Sequence, residues 1–576
     1  MVVLISRLLT MPRTFWEFDE LLFASAVRKF DPWASHPHPP GYPLYVGLAK
    51  GFAFLFGDAF RGLVALSVIA CAVGCAFLAR AFRHYLADDA MLGAAGALIF
   101  YFSPGALVHL TLPLSDSAAL MFLAVTLYTA TLLTASVAPP TSAALTFALA
   151  TSATIGVRPQ LAVPLLPVFL LVIAWTRDRR KIVAALASFT VLSAAWFLPL
   201  MFAAGGWNRL VAWELHQASY VAAHDASMSR GAAPVGQLIA WFVGHPFGPK
   251  LIAGPLLLLA VLGVVAVFRR RNVAVVVPLL FGAIHLAFAL AVMEPADAVR
   301  YSLPHVMIFC LLIAAGLGLT RDVTRVRSLP LIATVLIAAV SLVYVWPLIA
   351  ARTRGPSPPF AAAEYASLNF PPQAVIAYDL NLRPHAEYLM SRFRSMPIDR
   401  AMKELSDSPE VPVFLFVNGG SRSSEAKVFA WPTSHAYRSL TRNLYDQVTL
   451  DPLRPNERFV PVRGVYGLER TTEGEEWRWL AQDATIRLPR VHGDRASLVF
   501  GMPHDSPSEN VVHIGVNGRE VAAVRAMPAR QTALTIDVPG NSNVELTFRS
   551  ERAFRPAETI HNRDPRVLAV QLVRFE

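Results

Sequence analysis

Two neighbouring acids, Asp19 and Glu20, stand just ahead of the stretch HPHPPGYPLY at residues 36–45. Asp116 in PLSDSAAL, Arg158 in GVRPQ and Arg300 in AVRYSLP add a carboxylate and two arginines at the edges of apolar runs. A carboxylate can take a proton from an attacking group, and an arginine can hold phosphate oxygens through its planar fork of donors. Ionisable groups beside lipid are costly, so each is a functional candidate. The alternative for any one of them is an edge side chain that simply reaches to water. As a set, these acids and arginines suit chemistry on a lipid phosphate. The stretch at 36–45, with four prolines and a glycine, makes no spanning helix, because proline fixes φ and removes a backbone donor. His36 and His38 could begin a metal site, but only two ligands are visible locally and stable sites use three or four.

The elements that must position these residues are mostly apolar. The 576 residues are 55% hydrophobic and 16% charged, with a mean hydropathy of +0.46. A soluble domain is about one quarter charged, so the composition argues against a single large soluble enzyme. The net charge of +11 does not point to nucleic acid, because many of the basic residues cluster between apolar runs. Cys71, Cys75 and Cys310 all lie inside such runs, and no disulfide framework or cysteine metal site is readable.

Apolar runs of spanning length fall at about 61–82, 91–112, 115–136, 141–157, 160–176, 182–204, 250–268, 273–293, 303–320 and 329–350. Pro159, Pro164 and Pro167 interrupt the fourth and fifth, as in broken helices whose backbone is buried or lines a cavity. Basic clusters at Arg80/Arg83, Arg177–Lys181, Arg269–Arg271 and Arg321–Arg327 then share one side, the cytoplasmic one. Residues 13–60, Asp116, Arg158, 205–249, Arg300 and everything after Arg352 fall on the other. The opening MVVLISRLLTM is too short to cross and makes a poor signal peptide. It is either a truncated first helix or an interfacial segment.

After Arg352 the texture changes to a linker, RTRGPSPPF, followed by alternating polar and apolar residues. AVIAYDL at 374–380 and VPVFLFV at 411–417 read as strands around a helical stretch. From about 463 onward, six or seven short strands with turn signals, Asn517-Gly518 among them, suggest a β-sandwich. The organisation is therefore an N-terminal segment with an outward loop (1–60), a helical bundle (61–352), a linker with a small α/β element (353–460) and a β-sandwich (461–576).

The run WEFDELLFASAVRKF…HPHPPGYPLYVGLAKGFAFLFG resembles the first outward loop of GT-C polytopic membrane glycosyltransferases. The protein O-mannosyltransferase-like and aminoarabinose-transferase-like members are the most similar. PLSDSA, IGVRPQLAVPLLP and VRYSLPHVMIF echo further patterns of those families, so the resemblance covers about 15–350. It implies a polytopic α-helical membrane protein with about 10–11 transmembrane helices, placed in a bacterial plasma membrane with its C-terminal region outside the cytoplasm. It implies inverting transfer of a sugar from a polyprenyl-phosphate donor to a glycan, lipid or protein acceptor. Asp19 matches the catalytic base, Glu20 the neighbouring acid and Asp116 the second acidic position. Arg158 and Arg300, with Tyr301, are the matching donor-phosphate residues, and His36, His38 and Tyr42 belong to the substrate loop. This chain departs from the pattern in lacking a full first helix and in reading HPHPPG rather than HPPG.

The tail, with VYGLE and WRWLAQDATIRLP, resembles jelly-roll-like carbohydrate-binding sandwiches appended to bacterial membrane glycosyltransferases. Trp477 and Trp479 are its possible sugar contacts, or core residues. No cofactor is required by these motifs; a divalent metal is compatible with them, and nucleic acid is not a partner. Two rival functions use the same features: a glycan or lipid flippase without transferase chemistry, and a catalytically silent glycan-binding membrane protein.

Overall fold

The computed structural model describes residues 1–134, 139–226, 233–270, 272–420, 423–431, 437–442, 445–471, 475–488, 493–504, 506, 508–540, 542–559, 564 and 566–575. It divides into two compact units, Met1–Pro356 with Thr433–Asn443, and Ser357–Pro432 with Leu444–Glu576.

The first unit is helical. Helices α1 (Val2–Leu9), α2 (Phe18–Arg28) and α3 (Pro43–Phe56) lead into α4 (Ala59–Tyr85), α5 (Ala90–Tyr101) and α6 (Pro104–His109). There follow α7 (Ser115–Thr134), α8 (Thr141–Val157), α9 (Ala162–Trp175), α10 (Arg179–Ala203), α11 (Trp207–Tyr220) and α12 (Val235–Ile239). The unit closes with α13 (Lys250–Arg270), α14 (Val276–Val292), α15 (Ala298–Thr324) and α16 (Leu329–Arg354). Seven helices among the described residues are long and apolar enough to cross a membrane, and the chain is an integral membrane protein. Every apolar run of the sequence forms helix, with one change. The run at 91–112 breaks into α5 and α6, because Ser103 caps α6 through the Ala106 N–H and Pro104 occupies its first turn, where a missing N–H costs nothing.

Helix α15 is the most buried span and α10 the least. An apolar helix that is exposed on most of its surface needs lipid as its solvent. Helix α15 packs on α5, α13 and α14, and Gly263 and Gly316 let the α13 and α15 backbones meet with no room for a Cβ. Helix α1 lies against α4, with Arg7 buried and donating to the Tyr101 carbonyl.

The second unit holds two sheets. Parallel strands β1 (Val375–Tyr378), β2 (Arg394–Pro397) and β3 (Val413–Asn418) pair with β1 in the middle; β4 (Lys427–Ala430) and β5 (Gln447–Pro452) extend the sheet antiparallel. Strands β6 (Val460–Arg470), β7 (Glu476–Leu488), β8 (Arg495–Gly501), β9 (Asn510–Val516), β10 (Arg519–Ala526), β11 (Thr532–Asp537), β12 (Val544–Ser550) and β13 (Val570–Phe575) form the other. Their order is β10-β9-β12-β7-β13-β8-β11, with β6 also on β7. The two ends of that path meet where the Thr532 hydroxyl donates to the Arg525 carbonyl at 3.2 Å, so the sheet curls on itself. Asn517 and Gly518, at φ 48° and 82°, make the tight β9–β10 turn. The two sheets share one core, in which Val375, Leu415, Ile486 and Phe548 belong to a single buried cluster.

Candidate active site

Helix α2 carries three acids in and before its first turn, with Glu17 at the N-cap and Asp19 and Glu20 following, where the helix dipole favours negative charge. They point in different directions. Glu20 is fully buried and accepts from the Trp16 N–H at 2.7 Å, reaching back as a third-position carboxylate does in a capping box. Burial and the adjacent Glu17 push its carboxyl up to about 8. Glu17 faces Arg352 at 3.8 Å and accepts from the Thr441 hydroxyl at 3.4 Å; burial raises it to about 7 against the pull of Arg352.

Asp19 turns to a different centre. Arg300, in the first turn of α15, donates Nη1 to Asp19 Oδ2 at 2.8 Å and Nε to Asp116 Oδ2 at 3.0 Å. Asp116, at the start of α7, also accepts from Arg158 Nη1 through Oδ1. Arg158 is non-helical, at the break between α8 and α9, so the proline-rich interruption is what turns it inward. Both guanidinium groups lie over the Tyr301 ring, at 5.7 and 5.8 Å. Asp116 is 3% exposed with both oxygens held by arginine, whereas Asp19 is 23% exposed and keeps Oδ1 clear of arginine. Burial alone would raise the Asp19 carboxyl, but His38, Arg300 and Arg158 override it and bring it down to about 2.

The proline-rich stretch closes over α2. Asp31 and His36 exchange backbone hydrogen bonds at 2.8 and 2.9 Å, and the His36–Pro37 and Pro39–Pro40 bonds are cis. Gly41 has φ 84°, a left-handed conformation that favours glycine. Tyr42, at φ 44°, caps α3. His38 Nδ1 faces Asp19 Oδ1 at 3.7 Å; its ring packs on Phe23 and Tyr42 at 6.0 and 5.2 Å. The Tyr42 hydroxyl accepts from Gln160 at 3.4 Å.

The structure therefore gathers Asp19, His38, Tyr42, Asp116, Arg158, Arg300 and Tyr301, and leaves Glu20 and His36 outside that centre. Glu17, Gln160 and Arg352 were missed by the sequence reading, although Glu17 is one helical turn from Glu20 and Gln160 follows Arg158 by two. A cavity of about 440 Å³ is lined by Trp241, His245, Val299, Arg438 and Leu440, of which Val299 immediately precedes Arg300. Among the described residues, no group of three or more His, Cys, Asp or Glu side chains is disposed to hold a metal ion. In the second unit, Trp479 is buried against Phe554 at 5.8 Å, and Trp477 is half-buried. Both line a cleft of about 550 Å³ with Gln531 and Gln571.

ArnT from Cupriavidus metallidurans, bound to undecaprenyl phosphate, matches this structure with a TM-score of 0.50 and 15% identity, over 78% of this chain and 96% of that one. The chain has the GT-C fold. The apo state of the same ArnT gives 0.49 over the same shares, also at 15% identity. The Archaeoglobus fulgidus oligosaccharyltransferase, tethered to an acceptor peptide, gives 0.44 at 10% identity, over 96% of this chain and 95% of that one. No family model matches the sequence, and no curated protein matches it. The resemblance expected from the loop motifs thus extends to the fold.

Proposed function

We propose that the chain is a membrane glycosyltransferase that moves a sugar, with inversion, from a polyprenyl-phosphate donor to a glycan, lipid or protein acceptor. The observation that carries this is the difference between its two central carboxylates. Asp116 is saturated by Arg158 and Arg300 and serves as an anchor, while Asp19 keeps one oxygen clear of arginine at the open edge. Asp19 is then the basic end of the site. Arg158 and Arg300 form its phosphate end, each carrying five N–H donors, more than these pairs engage. The undecaprenyl phosphate bound by ArnT of the same fold is the donor chemistry that such a pair of forked cations suits.

In the transfer, the acceptor oxygen attacks the anomeric carbon from the face opposite the phosphate. The carbon–oxygen bond to phosphate breaks with its electron pair, and the arginines stabilise the charge on the leaving group. The cavity beside Val299 is the proposed route for substrate, and the reaction lies on the extracytoplasmic face of a bacterial plasma membrane. In the second unit, the half-buried Trp477 and the two glutamines of its cleft support a sugar contact. The deciding experiment incubates the purified chain in lipid discs with a panel of polyprenyl-phosphate sugars and follows the linkage of the product. Transfer from at least one donor with inverted configuration is expected. Donor moved across the bilayer without a new linkage would replace transfer with flipping.

A further inference from the structure

The Asp19 carboxylate is poorly suited to take a proton by itself. One oxygen is bonded to Arg300, and its neighbours hold it down to about 2, far from the value near ambient pH at which a general base works best. His38 lies on the oxygen that arginine leaves clear. Its Nδ1 is buried, has no hydrogen-bond partner among the described residues, and faces Asp19 Oδ1 at 3.7 Å. The side chain is nevertheless 22% exposed, so the exposed part of the ring lies away from Nδ1. Phe23 and Tyr42, themselves in edge contact, pack together against the ring.

We infer that His38 and Asp19 act as a dyad, in which Asp19 fixes the Nδ1–H edge of the ring and His38 Nε2 takes the proton of the acceptor hydroxyl. The inference rests on the glycosyl-transfer proposal above. It uses the division of labour by which a buried carboxylate sets the tautomer and orientation of a basic imidazole. A separation of 3.7 Å is long for a hydrogen bond, and such contacts tighten when substrate closes the site. The step balances: the acceptor oxygen bonds to the anomeric carbon, the bond to phosphate breaks with its electron pair on phosphate, and the proton passes to Nε2. The groups facing His38 are Asp19 from α2, Tyr42 at the start of α3, Arg158 after α8 and Arg300 from α15. Burial and the two arginines lower the imidazole while Asp19 opposes them, a direction that favours the neutral, proton-accepting ring.

The test measures kcat/KM against pH for the full chain in lipid discs, with the donor panel above, for wild type, His38→Gln, His38→Gly and Asp19→Asn. Wild type should lose activity on an acid limb below pH 6.5, with that limb absent in His38→Gln and turnover reduced by about 10²–10⁴-fold. Added imidazole should restore part of the activity of His38→Gly and none of that of Asp19→Asn. Rescue separates a missing base from a misfolded loop, and thermal melting of each variant checks the fold. Near wild-type turnover in His38→Gln, or His38→Gly folded yet inert to imidazole, overturns the dyad and leaves the transferase proposal standing. Absence of transfer by wild type with every donor overturns both.

Discussion

Arg300 and Asp19 are joined at 2.8 Å across 281 residues of sequence, so the last-but-one long helix of the bundle holds the first acidic helix in place. The same guanidinium reaches Asp116 on α7, and three elements that are separate in sequence converge on one side chain. A planar group does this with donors fixed on two edges, which a flexible ammonium lacks.

Arg300→Ala should leave Asp19 without its arginine and Asp116 with Arg158 alone. Breaking a buried ion pair by removing one partner costs about 3–5 kcal/mol, so melting of the variant in detergent should fall clearly below wild type. Arg300→Lys should lie between the two in stability and stay impaired in turnover, because an ammonium keeps the charge but loses the planar fork. Donor affinity is the second measurement. If it is unchanged in both Arg158→Ala and Arg300→Ala, neither arginine belongs to the phosphate site.

Glu20 gives a prediction about pH and stability rather than rate. Its carboxyl is raised from 4.5 to about 8 by burial and by Glu17, so the folded state binds a proton that the unfolded state releases. Stability from this group is therefore complete below about pH 4.5 and is lost as pH rises towards 8. Glu20→Gln, which mimics the protonated acid, should flatten that part of the melting-temperature profile and leave transfer nearly intact. A variant whose pH profile follows that of wild type would show that Glu20 is not the responsible group.

Helices were legible because lipid imposes one long apolar run per span, a signal carried within a few neighbouring residues. Asn517-Gly518 was legible for the same local reason, since a tight hairpin demands positive φ at both positions. Ser103-Pro104 was equally visible, but an apolar run hides a break whose cost is met by a cap. The direction of the acids was not visible at all. Asp19 and Glu20 are adjacent, yet a helix turns successive side chains by about 100°, and only the packing of α2 decides which faces Arg300. Leu440 was beyond reach for another reason. It lies in 437–442, far beyond the last apolar run, yet its carbonyl pairs with His109 of α6 at 2.7 Å.

Topology supplies a test independent of chemistry. Helix α16 lies between Arg325 and Gly355, and the basic clusters predict a cytoplasmic start for it. Reporter fusions after Arg325 should read cytoplasmic and those after Gly355 extracytoplasmic. The same reading at both points would overturn the count of crossings and, with it, the placement of the arginines on the outward face.

Asp19→Asn is the most direct test of the site. Asparagine keeps the size of aspartate and can still occupy the space between Arg300 and His38, but it carries no charge. It can neither accept the acceptor proton nor favour a protonated imidazole beside it. A positioned base is worth about 10²–10⁴-fold, and the loss of turnover should fall in that range while donor binding, which is assigned to the arginines, persists. Asp116→Asn should behave differently. It removes the anchor shared by Arg158 and Arg300, so donor affinity and stability should fall together with rate. If Asp19→Asn transfers sugar at a near wild-type rate while Asp116→Asn is inactive and still folded, Asp19 has no part in proton transfer and Asp116 is more than an anchor. Should both variants remain fully active, the carboxylates around Arg300 have no part in the reaction.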